Sequence, residues 1–298
     1  SRTDVAVTYI KGIADDKVVK SIRQRIDDIQ VDTLTVGEQS LVELFMQQNK
    51  KKSDWFNPFP KVRYTQRPDV VAAHVSEGKI AIIVDNTPTV ILLPVGIFDF
   101  IQDVDDYYFP LVTGNYFRLL RILNMIAIIF MTPVYLLMAE GYIPTFEMLG
   151  FIIPDTNYAI PLFWQFILLE IAIDALKLAS LNTPDSLGMS LSVIGALILG
   201  EFSVQSGWFI PQTILCMAVM ALASFTQPSI ELGYAIKFVR IAMLIGVAIY
   251  GFYGAGIAFV LGLVVLASTK TLMDTSYLYP LFPLNAKALK RLIFRTRK

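Results

Sequence analysis

Glu170, Asp174 and Lys177 lie four and three residues apart in the apolar run LFWQFILLEIAIDALKLA, residues 162–179. At about 100° per residue, a helix brings all three onto one narrow face. If that helix crosses a bilayer, a charge near its middle costs roughly 2.5–3.5 kcal/mol on insertion scales, so such residues face a bundle interior, a watery path or one another. Two chemistries fit Glu170. It can line an ion or proton path, or it can be held in a structural pair. For Asp174 the local partner is Lys177 at i,i+3, whose ammonium can also snorkel to the inner surface. Glu201 sits near the outer end of a further apolar segment and reads as interfacial, with a place at a pore mouth as the alternative. Ion-path candidates are therefore Glu170, Asp174, Lys177 and Glu201.

The elements that must position these residues are six apolar segments, about 119–139, 162–179, 187–205, 209–225, 236–253 and 254–268. Several are shorter than the ~20 residues an upright span needs. The last two are joined by GFYGAG and read as two short spans or a re-entrant hairpin. The third carries Gly188, Ser192, Ala196 and Gly200, each four apart, a small-residue spacing that lets helix backbones approach closely. Gly254, Ala258 and Gly262 repeat it. The break FTQPS, residues 225–229, reads as a cytoplasmic turn in which Ser229 and Glu231 start the next helix, with an unwound stretch lining a cavity as the alternative.

Topology follows from the bases. The loop 140–161 holds Glu140, Glu147 and Asp155 and no Lys or Arg, whereas Arg118, Arg121, Lys177, Lys237, Arg240 and Lys270 fall at the opposite ends of the segments. The positive-inside rule places both termini in the cytoplasm, with six spans, or four to five with re-entrant pieces.

Composition divides the chain. Residues 1–116 hold 13 Lys/Arg and 16 Asp/Glu; the remainder hold 12 and 9, half of those bases after Ala286. The fold expected is an α+β soluble domain (1–116) followed by an all-α polytopic membrane domain (117–270) and a basic cytoplasmic tail (271–298). The opening SRTDVAV has neither a starting Met nor an apolar signal segment, so the chain reads as a fragment of a longer protein; the family resemblance given below implies that residues 1–116 are the C-terminal part of a larger N-terminal region.

Within the soluble part, 5–10 reads as a strand, and 16–29 as a helix with an apolar stripe of Val18, Val19, Ile22, Ile26 and Ile29. A second helix is expected over 37–48 and a third over 68–77, with Pro68 in its first turn and Gly78 after its end. Strands over 79–84 and 89–93 flank a turn at Asp85-Asn86-Thr87-Pro88. His74, the one histidine, reads as a packing residue. No phosphate-binding glycine loop, nucleophile–base pair or metal-ligand cluster is present in the sequence, and one His with one Cys (Cys216) excludes a conventional His/Cys zinc site. An enzyme, a cofactor and nucleic-acid binding are not expected.

Four strings carry a resemblance: RTDVAVTYIKGIAD (2–15), NPFPKVRYTQRPDVVAAHVSEGKIAIIVDNTPTVILLP (57–94), LSVIGALILGEFSVQSG (191–207) and ASFTQPSIELGYAIKFVR (223–240). Together they resemble the GerA family of spore germination proteins, A-subunit type. FPKVRYTQRPDV and SYLYPLFPLNAKALKRL are nearer its stage V sporulation AF branch than the nutrient-receptor A subunits. The resemblance implies a multi-pass protein of the endospore inner membrane. It would oligomerise with like copies and with other germination subunits, and form or support a path for monovalent cations. A secondary transporter and a non-conducting scaffold of a receptor cluster are the alternatives.

Overall fold

The computed structural model describes residues 3–29, 37–48, 56–144, 150, 152–154, 158–182, 193, 195 and 197–294. In chain order the elements are β1 (Val5–Thr8), α1 (Asp16–Asp27), α2 (Gly37–Gln48), β2 (Arg63–Thr65), α3 (Pro68–Ser76), β3 (Ile80–Val84), β4 (Val90–Leu93), α4 (Ile97–Ile101), α5 (Leu111–Ala139), α6 (Leu162–Asn182), α7 (Pro211–Phe225), α8 (Ile230–Ser268) and α9 (Ala286–Ile293). A 3-10 turn, Val104–Tyr107, precedes α5, and a π-helical turn, Leu197–Phe202, precedes α7. By contacts the chain divides into two units. One comprises Ser1–Leu120, Pro228–Ala235 and Val264–Lys298; the other comprises Arg121–Gln227 and Ile236–Leu263.

The first unit is built on an antiparallel sheet in the order β1-β3-β4-β2. The β3–β4 hairpin pairs Ile80 with Leu93 and Ile83 with Val90. Its turn places Asn86 at φ 62°, a conformation Asn tolerates, and Thr87 Oγ1 donates to the Val84 carbonyl at 2.9 Å. Ile80, Ile82, Val84, Ile91 and Leu93 alternate onto one face, where they meet Val18, Val19 and Ile22 of α1 and Leu41, Val42 and Phe45 of α2. Asp15 starts α1 by accepting from the Lys17 amide at 2.8 Å. These elements follow the sequence reading closely.

β2 does not follow from local pattern. It is three residues long and begins with Arg63, which is buried and pairs in register with Leu92. A short strand led by a base carries no period-2 apolar signal. Arg63 is accommodated because its guanidinium donates to the Asp99 and Gln102 carbonyls and, at 3.4 Å, to His74 Nε2. His74 Nδ1–H in turn donates to the Val70 carbonyl at 2.9 Å. His74 is thus a satisfied, buried, neutral histidine; burial and the neighbouring Arg63 charge hold its pKa below the ordinary value.

Residues after 270, expected as a tail, enter the same unit. Leu272 and Met273 join the core of α1, α2 and the sheet. Tyr277 is buried and donates from its hydroxyl to the Pro60 carbonyl at 2.8 Å, while its own carbonyl accepts from the Ile97 amide at 3.0 Å. Gly96 is required there, since a Cβ would come 2.6 Å from the Tyr277 carbonyl oxygen.

The second unit is helical. α5 and α8 are long and apolar enough to cross a membrane. The turn at 225–229 and the helix start behave as read: Ser229 Oγ accepts from the Leu232 amide at 3.1 Å and donates to Glu231 at 2.8 Å. α8 is not one rod. Gly251 breaks it at φ 57°, and the arms double back. A Cβ on Gly254 would collide with the Gly246 carbonyl and one on Gly246 with the Gly254 carbonyl, while a Cβ on Gly262 would lie 2.9 Å from Val239 Cγ1. In an unbroken helix residues 239 and 262 would be about 34 Å apart. Both contacts centre on the same point beside Gly251, the register of an antiparallel helical hairpin. Its arms, 230–250 and 252–268, are about 31 and 25 Å long at 1.5 Å per residue, near the thickness of a hydrocarbon core. Gly254 and Gly262 of the second small-residue ladder therefore mark close approach within the hairpin itself.

Candidate functional site: a buried ion-pair cluster

α6 buries Leu162, Phe166, Leu169 and Glu170, and exposes Trp164, Leu168, Ile171 and Leu178. The i, i+4, i+7, i+8 spacing of the buried set assigns Glu170 to the packed face. Opposite stands the 230–250 arm, where Lys237 and Arg240, three apart, share a face of their own. The Glu170 side chain is 3% exposed and that of Arg240 2%; the Arg240 Nη2 bonds to Glu170 Oε1. Glu170 Oε2 lies 3.0 Å from Lys237 Nζ. Lys237 also pairs with Asp174, whose side chain is 35% exposed, and reaches the Glu170 carbonyl at 3.4 Å. Arg240 Nη1 donates to the Ile128 carbonyl at 2.9 Å, in the turn of α5 that precedes Pro133.

Three helices thus meet at one level through two carboxylates and two cations whose charges cancel. Stranded alone in a low-dielectric interior, either sign would cost several kcal/mol. Complementary pairs on two helices offset that cost only in this register, so the cluster sets how α6, the α8 arm and α5 align.

Gln165, one turn before Leu169, adds a neutral clamp. Its Nε2 donates to the Ile160 carbonyl at 2.8 Å, and its Oε1 accepts from the Ile210 amide at 3.1 Å and the Thr213 hydroxyl at 2.8 Å. The start of α7 is held to α6 by a fully buried amide.

Lys177, one turn beyond Asp174, lies within electrostatic range of Asp174, Lys237, Glu170 and Arg240, whereas Glu201 lies elsewhere. Lys177 Nζ stands 5.3 Å from the Phe225 ring centroid. Glu201 is exposed on the π-helical turn and accepts from Gln205 at 3.2 Å. Gly188, Ser192 and Ala196 lie outside the described residues. Gly200 faces open space, whereas a Cβ on Gly195, off the four-residue ladder, would come 2.7 Å from Leu176 of α6.

Sequence reasoning did not find Lys237 and Arg240 as partners. The positive-inside argument used them as markers of the cytoplasmic edge, yet they are buried against acids rather than free at a surface. Arg118 is likewise buried, against Asp106, which leaves Arg121, the C-terminal bases and the base-free loop 140–161 as the markers of orientation in the sequence. The signal that points to the pairing is their i,i+3 spacing in an apolar run, matched to the i,i+4 spacing of Glu170 and Asp174.

The structure is that of a largely helical protein with a small α/β unit, two helices long and apolar enough to cross a membrane, and an internally neutralised charge cluster. The sequence profile described as Bacillus/Clostridium GerA spore germination protein matches residues 1–298, and the chain belongs to that family. Stage V sporulation protein AF of Bacillus subtilis (strain 168) is 35% identical over 300 residues, covering 100% of this chain and 59% of the relative. Spore germination protein KA of the same organism is 31% identical over 298 residues, covering 99% of this chain and 53% of the relative. The chain thus spans between half and three-fifths of the length of these two proteins. Among solved structures, the N-terminal domain of the A subunit of the Bacillus megaterium spore germinant receptor GerK3 is 38% identical, covering 31% of this chain and 68% of that one, with a TM-score of 0.21.

Proposed function

We propose that the chain is a non-enzymatic, multi-pass membrane subunit of a spore germination complex, lying in the endospore inner membrane with its α/β unit and C-terminus in the cytoplasm. Copies assemble with one another and with other germination subunits to form or support a path for monovalent cations. Family membership supports the germination role; the long apolar helix α5 and the two bilayer-length arms of α8 support a multi-pass arrangement.

The observation that carries the mechanism is the cluster itself. With Glu170 and Asp174 neutralised by Arg240 and Lys237, the resting subunit presents no net charge to a cation at that level. Conduction requires the α8 arm to move relative to α6. Parting Lys237 from Asp174, the more exposed of the two acids, frees a carboxylate that favours cations over anions. A cation-coupled carrier would use the same carboxylates. Saturable uptake rather than single-channel currents would mark that reading.

The test is reconstitution. An Asp174→Asn variant that folds and assembles normally is expected to lose cation-over-anion preference in vesicle flux and to slow ion release from germinating spores. Unchanged selectivity and release kinetics would refute a conducting role for the cluster and favour a scaffold.

A further inference from the structure

Three helix ends and the α8 turn meet at one level of the second unit. Tyr142, just after α5, lies against the α8 turn: a Cβ on Gly251 would come 2.5 Å from its ring. Tyr135, in the last turns of α5, meets Phe166 near the start of α6, with ring centroids 5.6 Å apart. Gln165 then ties the start of α6 to the start of α7 through Ile210 and Thr213. A second set of contacts marks the opposite level. Asn124 of α5 donates to the Thr226 hydroxyl at 3.0 Å, Gln227 donates to the Arg121 carbonyl at 3.2 Å, and Lys177 stands over Phe225.

Outward-facing residues sort between these levels by chemistry. At the first level Tyr142, Trp164, Trp208, Tyr250 and Tyr253 are between 54% and 79% exposed. They come from all four of its elements and include two of the three tryptophans of the chain. Away from that level the outward residues are aliphatic: Leu168 and Ile171 on α6, Leu215 and Leu222 on α7, Ile257 and Leu261 on the second arm of α8. Lys and Arg are absent from 122–176, 178–236 and 241–269, so the aromatic level has no base near it in sequence, whereas Arg121 and Lys177 stand at the opposite one. Tyrosine and tryptophan combine an apolar ring with one polar group. The boundary between acyl chains and headgroups satisfies both parts; the bilayer centre strands the polar group, and bulk water strands the ring.

We propose that these five aromatic side chains form a belt that docks the second unit at the headgroup boundary of the leaflet opposite Arg121 and Lys177. The belt rests on the membrane reading given above and adds a depth to it. A protein partner covers one face, whereas the change from aromatic to aliphatic runs along α6, α7 and the α8 arm alike, as contact with a surrounding bilayer requires. Both arms of α8 then reach that boundary instead of turning back inside the bilayer. Glu170 lies about 9 Å along α6 from Trp164, and Arg240 about 15 Å along α8 from Tyr250, which sets the charge cluster near the middle of a hydrocarbon core about 30 Å thick.

The test uses the full chain in phosphatidylcholine vesicles, with Trp55→Phe and either Trp208→Phe or Trp164→Phe, so that one tryptophan remains. Phosphatidylcholines brominated near the glycerol end or near the methyl end of the acyl chain serve as shallow and deep quenchers. Trp164 and Trp208 should each be quenched about twofold more by the shallow lipid than by the deep one. With all three tryptophans replaced by Phe, Tyr253→Trp should match them, and Ile171→Trp, about 10 Å further along α6, should show the reverse order. The native tryptophans decide the outcome by themselves where an introduced one prevents accumulation. Alkaline carbonate extraction reads insertion separately: release of the protein overturns the membrane reading beneath the proposal. In protein that resists extraction, deep-selective quenching of Trp164 and Trp208, or quenching by aqueous acrylamide and by neither lipid, overturns the belt alone. Deep-selective quenching of Tyr253→Trp would turn the hairpin back inside the bilayer and also overturn it. Tryptophans shielded from acrylamide and lipid alike, and uncovered on dilution into excess lipid, would give the surface to a second copy of the chain and refute the lipid assignment.

Discussion

Replacing Arg240 by Met removes the guanidinium that joins Glu170 to the α5 carbonyl of Ile128. Glu170 keeps Lys237 at 3.0 Å, but Lys237 is shared with Asp174, so the cluster goes from neutral to one net negative charge at a site 2–3% exposed. Breaking a buried pair from one side costs about 3–5 kcal/mol, because the remaining charge is desolvated without compensation. At roughly 2–4 °C per kcal/mol for a chain of this size, the unfolding midpoint should fall by about 6–20 °C. Glu170→Leu alone leaves two cations facing one carboxylate and should cost a similar amount. The double variant Glu170→Leu/Arg240→Met removes both charges and keeps much of the volume, so it should recover most of the loss and lie within about 2 kcal/mol of the parent. Thermal unfolding in detergent, followed by intrinsic fluorescence at constant protein concentration, reads all four proteins. Strict additivity, with the double variant as unstable as the two losses combined, would show that Glu170 and Arg240 do not depend on each other, and the cluster argument would be wrong.

Two further outcomes check the architecture. Gly254→Ala should cost about 1–3 kcal/mol or abolish accumulation, because its Cβ meets the Gly246 backbone, which cannot move aside, while Gly200→Ala, with nothing within 4 Å, should be neutral or slightly stabilising; comparable midpoints for the two would refute the hairpin register. Stability of the first unit should fall with acid, because His74 is held neutral beside Arg63. With the folded pKa below the unfolded one, the unfolded chain binds the extra proton first. The stabilisation is complete above the ordinary histidine range and is lost as pH drops from that range towards the folded value. Hydrogen exchange of amides in α3 and β2 between pH 7.5 and 5 follows this, and His74→Gln should flatten the dependence.

Much of the fold was legible because it is encoded locally. Apolar spacing located α1, proline and glycine bounded α3, and the Asp85–Pro88 turn set the β3–β4 hairpin. GFYGAG marked the reversal in α8. What escaped has no local signature. Arg63 at the head of β2 is an acceptable strand residue only because α3 and the backbone around α4 supply acceptors for it. Leu272, Met273 and Tyr277 follow a membrane-length helix and resemble a tail until the core they enter is seen.

For the site, the sequence by itself determined that two carboxylates share one helical face in an apolar segment, since helix periodicity converts spacing into direction. It also determined that the chain is of two compositions, and which family it belongs to. It could not decide what those carboxylates meet. Lys237 and Arg240 lie 63 to 70 residues further along the chain, and a pairing at that separation depends on the crossing of α6 with the α8 arm and on the height at which Gly251 turns the hairpin back. Electrostatic energy in a low-dielectric interior depends on distances of a few ångströms between helices. Only the tertiary structure sets those distances, and it turned a stripe that could have lined water into a neutral, buried joint.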